Sequence, residues 1–241
     1  MQGAGVSTQR KYDKLSARRR ANRPRAILST LVSAVLFALF FEVAFTTLIP
    51  RTGLDLLPGG LAGVWFAWWA WPREPQTTTA HVKGAQGEVR TAGVLDKLGT
   101  DFRFIHDRRV PGGRENIDHI VVGPTGVFVV ETKNIGGKLR VNGGRLFSGR
   151  YCRDGYIAQA QRQARAVEEV LSAAAAPLPI EVVPLICVHG AELPSRRVSL
   201  QGVRLVGRRG LVRTISKAPT VLSTEQVTTI ASKLDRDLRS A

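Results

Sequence analysis

The chain has 241 residues, enough for one domain with a full core plus an appendage and too few for two large domains. Lys and Arg number 35 against 19 Asp and Glu, a net charge of +16 that calls for an anionic partner, either phospholipid headgroups or a nucleic-acid backbone. Two cysteines, Cys152 and Cys187, with no C-x-x-C spacing exclude a disulfide framework and a zinc signature and read as reduced, structural thiols, a bridge between them being the minor alternative.

Residues 1–25 form a basic tail, in which eight Lys and Arg between Arg10 and Arg25 face Asp13 alone. The apolar run AILSTLVSAVLFALFFEVAFTTLI, residues 26–49, is interrupted only by Glu42. At about 1.5 Å per residue it reaches roughly 36 Å, the thickness of the apolar slab of a bilayer. PRTG reads as a turn, and a second run, LLPGGLAGVWFAWWAW over 56–71, ends in Trp65, Trp68, Trp69 and Trp71, an aromatic belt of the kind found where a helix leaves a bilayer. The expectation is a two-span transmembrane hairpin within 26–72, its helices at about 26–49 and 54–72.

Two alternatives stand beside it. A signal peptide has the same basic-then-apolar order, although this run exceeds a usual apolar region and no A-x-A site follows. A buried soluble hairpin would suit the shortness of the second run, with its Pro58 and three glycines. Glu42 then reaches the interface or faces the partner helix. The basic tail places the N-terminus in the cytoplasm by the positive-inside rule, and two spans return the chain to that side. A polar Pro/Thr linker over 73–81 leads into the remainder.

Residues 84–99 predict a helix with Val89, Ala92 and Leu95 on its apolar side and Glu88 in its first turn. Strands follow at 102–110, 117–123 and 126–133, the last two joined around Pro124-Thr125, and a hairpin at 137–147 turns at Asn142-Gly143-Gly144. Residues 155–176 are a strongly amphipathic helix, and strands recur at 180–189, beyond the breakers Pro177 and Pro179, and at 202–207. In the closing helix Ser223 and Gln226 have capping-box spacing, and Val227, Ile230, Leu234 and Leu238 form a stripe. This order describes an α/β fold, a mixed sheet flanked by helices.

NIDHIVVGPTGVFVVETKN, residues 116–134, carries charges at the mouths of two apolar strands. Period-2 alternation puts Val127, Val129, Glu131 and Lys133 on one face. Two registers fit. With a two- or four-residue loop, partners sum to 249 and Asp118 lies opposite Glu131; with a type I turn and G1 bulge they sum to 250 and Asp118 turns to the other face. In the first register the converging carboxylates suit Mg2+ or Mn2+, with the Lys133 ammonium one pleat further on. Solvated strand ends are the plain alternative.

Asp118 followed by Glu131-x-Lys133 across a hairpin resembles the PD-(D/E)XK nuclease superfamily. GAQGE at 84–88, the 116–134 run, YIAQAQRQA at 156–164 and the closing GVRLVGRRGLVRTI resemble more specifically the nuclease-related domain NERD and its bacterial members, over residues 82–215, leaving 216–241 as a helical extension. The resemblance implies a restriction-endonuclease-like core. It implies Asp118 and Glu131 as a metal-binding pair for Mg2+ or Mn2+, Glu88 as an accessory metal ligand, and Lys133 as the group that orients or activates water. Gln159 matches the helix glutamine, with Gln163 a rival and a solvated helix face a third reading, because the proline common three residues earlier is Tyr156 here. His119 falls on the opposite face from Asp118 and reads as packing.

Arg140, Arg145, Arg150 and Arg162 follow the site and are candidate contacts to DNA or RNA, an ordinary basic surface being the alternative. The resulting expectation is a divalent-metal-dependent, phosphodiester-hydrolysing nuclease. It would be anchored in a bacterial cytoplasmic (inner) membrane as a two-pass protein, N-terminus and C-terminal domain cytoplasmic, with anionic headgroups at its basic tail. A catalytically inactive nucleic-acid-binding domain and a membrane scaffold are the competing readings.

Overall fold

The structure, a computed structural model, describes residues 6–48, 56–71, 76–113, 115–173, 180–195 and 198–241. The PRTG turn, Pro177 and Pro179 lie outside these residues. Residues 11–79 and residues 80–241 fall into separate compact units.

The first unit contains α1 (Val6–Leu48) and α2 (Leu56–Ala70). The basic stretch is helical from Val6, and α1 runs unbroken through Pro24. Within it, Ser16–Ala44 is long and apolar enough to cross a membrane by length and composition. Its apolar side chains, among them Leu28, Leu36 and Phe40, are exposed rather than packed as in a soluble core helix. Helix α2 has 15 residues where 54–72 was expected, and at 1.5 Å per residue is about 22 Å long, short of a roughly 30 Å slab. Among the described residues, one helix is long and apolar enough to span.

Glycines let α2 lie close to α1. A Cβ on Gly63 would meet the Ala38 Cβ at 2.9 Å, and one on Gly59 would meet Glu42 Oε2 at 2.7 Å. Gly59 N–H donates to that Glu42 oxygen at 3.3 Å, so Glu42 does face the partner helix. Phe37 and Phe66 stack at 5.0 Å beside this contact.

Most of α3 (Gln76–Leu95) belongs to the second unit, and the helix makes the stretch read as a linker helical from Gln76 onward; residues 72–75 lie outside the described residues. After it come β1 (Arg103–Arg109), β2 (Asn116–Gly123), β3 (Gly126–Asn142), β4 (Arg145–Ser148), β5 (Tyr151–Cys152) and α4 (Asp154–Ser172). The chain continues with β6 (Val182–Glu192), β7 (Val198–Leu200), β8 (Val203–Gly207), α5 (Arg208–Ser216) and α6 (Thr224–Asp237). The main sheet runs β1-β2-β3-β6-β8-β7, with β4 and β5 branching from the far half of β3. Strands β3, β6 and β8 are parallel and the remaining pairs antiparallel, so the α/β fold with a mixed sheet is present. The expected second hairpin is not independent of the first, because β3 passes through an irregularity between Asn134 and Gly137 and forms both.

Alternation along β2 and β3 divides the core between two faces. Ile120, Val122, Val127 and Val129 pack under α4 and α6 with Ala164, Val167, Val227, Ile230 and Leu234. Val121, Phe128 and Val130 pack on the other face with Leu95 of α3 and Leu211 and Ile215 of α5. Burying each such side chain contributes about 1.5–3 kcal/mol, so a one-residue slip of β3 would forfeit both layers at once. Helix α6 carries the capping box read from Ser223 and Gln226. Just before it, the Val221 and Leu222 N–H groups both donate to the Pro124 carbonyl, which ties down the β2–β3 turn.

Candidate active site

The β2–β3 turn decides the register. Gly123 pairs with Gly126 and His119 with Val130, so partners sum to 249 and Pro124-Thr125 is a two-residue loop. Gly126 has φ +120°, a conformation that favours glycine. Asp118 and Glu131 consequently share the α4 face, as the first register requires.

The paired ladder between β2 and β3 extends only as far as His119 and Val130. Beyond it the strands are joined by side chains. The Asp118 Oδ2 accepts the Thr132 backbone N–H at 2.7 Å. The Gln163 Nε2 donates to the Asn116 carbonyl at 2.8 Å and to Glu131 Oε2 at 2.6 Å, spanning the two strands from α4. A notch lined by carboxylates thus opens where backbone pairing stops.

Lys133 Nζ donates to Glu131 Oε1 at 2.6 Å and to Gln159 Oε1 at 2.9 Å, and lies 4.7 Å from the centre of the Tyr156 ring. Both glutamines therefore reach the site, with different partners: Gln159 holds the lysine and Gln163 holds the glutamate. Tyr156, Gln159 and Gln163 follow one another at intervals of three and four residues along a single face of α4. Tyr156 registers in the sequence only as a departure from a family pattern, yet its ring supports the ammonium by a cation–π contact. The signal that would have found all three is that helical spacing.

Glu131 is buried, with a side chain only 4% exposed, and Lys133 is mostly covered. Burial raises the Asp118 carboxyl well above the usual carboxylate range; the negative charges of Glu131 and then Glu88 add to this, and the Thr132 N–H and Lys133 oppose it. Glu88, buried on α3, thereby acts on Asp118 through its charge. Glu131 and Glu88 thus disfavour ionisation of Asp118 while Lys133 favours it.

Among the described residues no group of three or more His, Cys, Asp or Glu side chains is arranged to hold a metal ion. The donor set nonetheless fits a hard divalent cation. Mg2+ keeps several waters and takes one or two carboxylates plus substrate phosphate oxygens, and Asp118 and Glu131 offer that number.

His119 lies on the other face, fully buried, its Nδ1 2.8 Å from the His106 Nδ1. This is packing, as its alternation with Asp118 predicts. The arginines following the site are largely engaged within the domain. Arg145 pairs with Asp154 at 2.7 Å and Arg162 with Glu115 at 2.6 Å. Arg140 donates to the Gly149 carbonyl, and the Arg150 guanidinium lies over the Tyr151 ring.

With this geometry the comparison with protein families can be stated. Residues 83–189 match NERD, the nuclease-related domain. The match contains every residue of the notch from Glu88 to Gln163 and carries with it the PD-(D/E)XK likeness of Asp118 and Glu131-x-Lys133. No curated protein and no solved structure matches the chain.

Proposed function

We propose that the NERD segment is a divalent-metal-dependent nuclease that hydrolyses phosphodiester bonds of DNA or RNA. The observation that carries this reading is Lys133 Nζ held between Glu131 and Gln159 one strand away from Asp118, whose carboxyl feels the charges of Glu131, Glu88 and Lys133. Asp118 and Glu131 would hold Mg2+ or Mn2+, with Glu88 contributing charge. The ion would supply Lewis acidity toward the scissile phosphate and acidify a bound water.

The chain's own groups supply the rest. An ammonium has three N–H donors; two are committed to Glu131 and Gln159, and the third is available to orient the attacking water or to stabilise a non-bridging phosphate oxygen as its charge develops. Gln159 fixes the direction of that donor. Gln163 fixes the Glu131 carboxylate and prevents its rotation away from the notch. Arg140, Arg145, Arg150 and Arg162 are the proposed contacts to the phosphate backbone, the two ion-paired arginines exchanging a carboxylate for a phosphate.

The proposal extends to the membrane. Exposed apolar side chains along α1, the glycine-mediated contact of α2, and the tryptophans at its end support a two-pass anchor in an inner membrane, with the N-terminus and the nuclease-related segment on the cytoplasmic side and basic residues of α1 at anionic headgroups. The shortness of α2 is accommodated by local thinning of the bilayer or by snorkelling of its flanks.

The full chain in detergent, incubated with labelled single- and double-stranded DNA and RNA plus Mg2+, Mn2+ or EDTA, tests the reaction. Cleavage that requires the metal and disappears in Lys133→Ala and Asp118→Ala supports it and names the substrate. Binding without cleavage in every metal condition would replace it with an inactive binding domain, a reading that both Glu131 oxygens being hydrogen-bonded would then explain.

A further inference from the structure

A second basic site lies outside the matched segment. Where β8 gives way to α5, a cavity of about 1280 Å³ opens beside Gly207. Arg204, Arg208, Arg209, Arg213 and Lys217 line it, and no Asp or Glu among the described residues does. All five cations are exposed, and none pairs with a carboxylate among the described residues, whereas Arg145 and Arg162 near the notch do. Five like charges around one cavity repel one another, an arrangement that an anionic occupant relieves. Helix α5 adds to the same field. Its N-cap is Gly207, which provides no side-chain cap, so the first N–H groups of the helix are left for another acceptor.

The position of the cavity in the sheet indicates which anion. Lys133 of β3 pairs with Val188 of β6, and Val188 pairs with Gly207 of β8. The backbones at Lys133 and at the start of α5 therefore stand at one level of three parallel strands, two strand spacings or about 10 Å apart. Gly207 closes β8, and α5 packs on the sheet face opposite the one that carries Lys133. A strand that engages both therefore passes over the edge of the sheet, and at about 3.4 Å per nucleotide it needs more than the roughly three nucleotides that cover 10 Å. Among the described residues no aromatic side chain lines the cavity, so its contacts are to phosphates and not to base faces.

We propose that this cavity is a phosphate-binding subsite for the backbone of a nucleic-acid strand whose scissile phosphate lies at Lys133. The proposal rests on the nuclease reading above.

The test measures binding of a fluorescent 20-nucleotide single strand to the full chain in detergent with EDTA, over a series of salt concentrations. It compares wild type, Arg208→Ala/Arg209→Ala/Arg213→Ala, the same three positions changed to Lys, and an Arg18→Ala/Arg20→Ala/Arg23→Ala control from α1. The subsite predicts at least tenfold weaker binding for the α5 alanine variant and a salt slope shallower by about 2, from three lost contacts at roughly 0.7 each. The lysine variant, which keeps the charge and reports on folding, stays within about threefold of wild type, as does the α1 control.

An α5 alanine variant that binds the strand with unchanged affinity and slope overturns the subsite while leaving the nuclease reading intact. A wild type that neither binds nor cuts any nucleic acid removes the nuclease reading itself, and the subsite with it. Loss of binding to vesicles of anionic phospholipid, or to inorganic pyrophosphate, with strand binding unaffected would overturn the proposal in favour of a lipid or small-anion site.

Discussion

The two faces of the central sheet both bury polar side chains, but by different means. Under α3, Thr132 donates to Thr91 at 3.0 Å, Thr91 lies 2.8 Å from His189, Cys187 approaches His189 at 3.6 Å, and His106 meets His119. Burial holds the His119 imidazole well below its usual range and pushes the Cys187 thiol up to about 11, so these groups are neutral and paired with one another. On the α4 face, Lys133 is held by Glu131, and the charges of Glu131 and Glu88 act on the Asp118 carboxyl. The neutral cluster serves the fold, and the charged one is the proposed metal site.

The largest expected effect lies on the α4 face. Lys133→Ala should lower metal-dependent cleavage by at least about 100-fold, read at a temperature where the variant is still folded, since it also leaves the buried Glu131 without its cation. Loss of folding in place of activity would make the notch structural. On the opposite face, Thr91→Val removes partners from His189 and Thr132 and should cost about 1–3 kcal/mol of stability, read in denaturant melts, with the cleavage rate within twofold of wild type. A rate collapse in that variant would erase the distinction between the faces. Gln159→Ala should reduce kcat about tenfold with KM unaltered, the loss of one hydrogen bond to a charged group that only orients the lysine.

The smallest effect is in pH dependence, and it has opposite signs on the two faces. His119 has a folded value below its ordinary 6.5, so the unfolded chain binds more protons; its contribution is complete above about 6.5 and is lost as pH falls. Asp118 has a folded value above its ordinary 3.8, so the folded chain binds more protons, and stability declines as pH rises from that value. In EDTA, His119→Gln should flatten the acid side of the stability profile, and Asp118→Asn should flatten the decline above 3.8. A shared direction in both variants would contradict the contrast.

The apolar strands, the amphipathic α4 and the capping box of α6 are legible in the sequence because period and cap chemistry are local properties. The register around Pro124 is not, since it depends on whether Gly126 closes a two-residue loop or a bulge, and the contact of Val221 and Leu222 with Pro124 comes from a distant segment. Asp118, Glu131 and Lys133 can be named from spacing and resemblance. Gln163 bridging to Asn116 cannot, because the parting of β2 from β3 is a tertiary feature. Helix α5 was missed for a local reason: its one glycine and three basic side chains in nine residues hide the Leu211 and Ile215 that pack it against the sheet. Early helix in α3 was likewise obscured by the Thr-rich stretch after Pro75.

The most direct measurement is Mn2+ binding to the full chain, followed by the loss of the free-ion paramagnetic resonance signal, in wild type, Asp118→Ala and Thr91→Val. The account predicts one bound ion in wild type and Thr91→Val and none in Asp118→Ala. Equal Mn2+ binding by all three proteins, or by none, would contradict the assignment of the α4 face as the metal-dependent site.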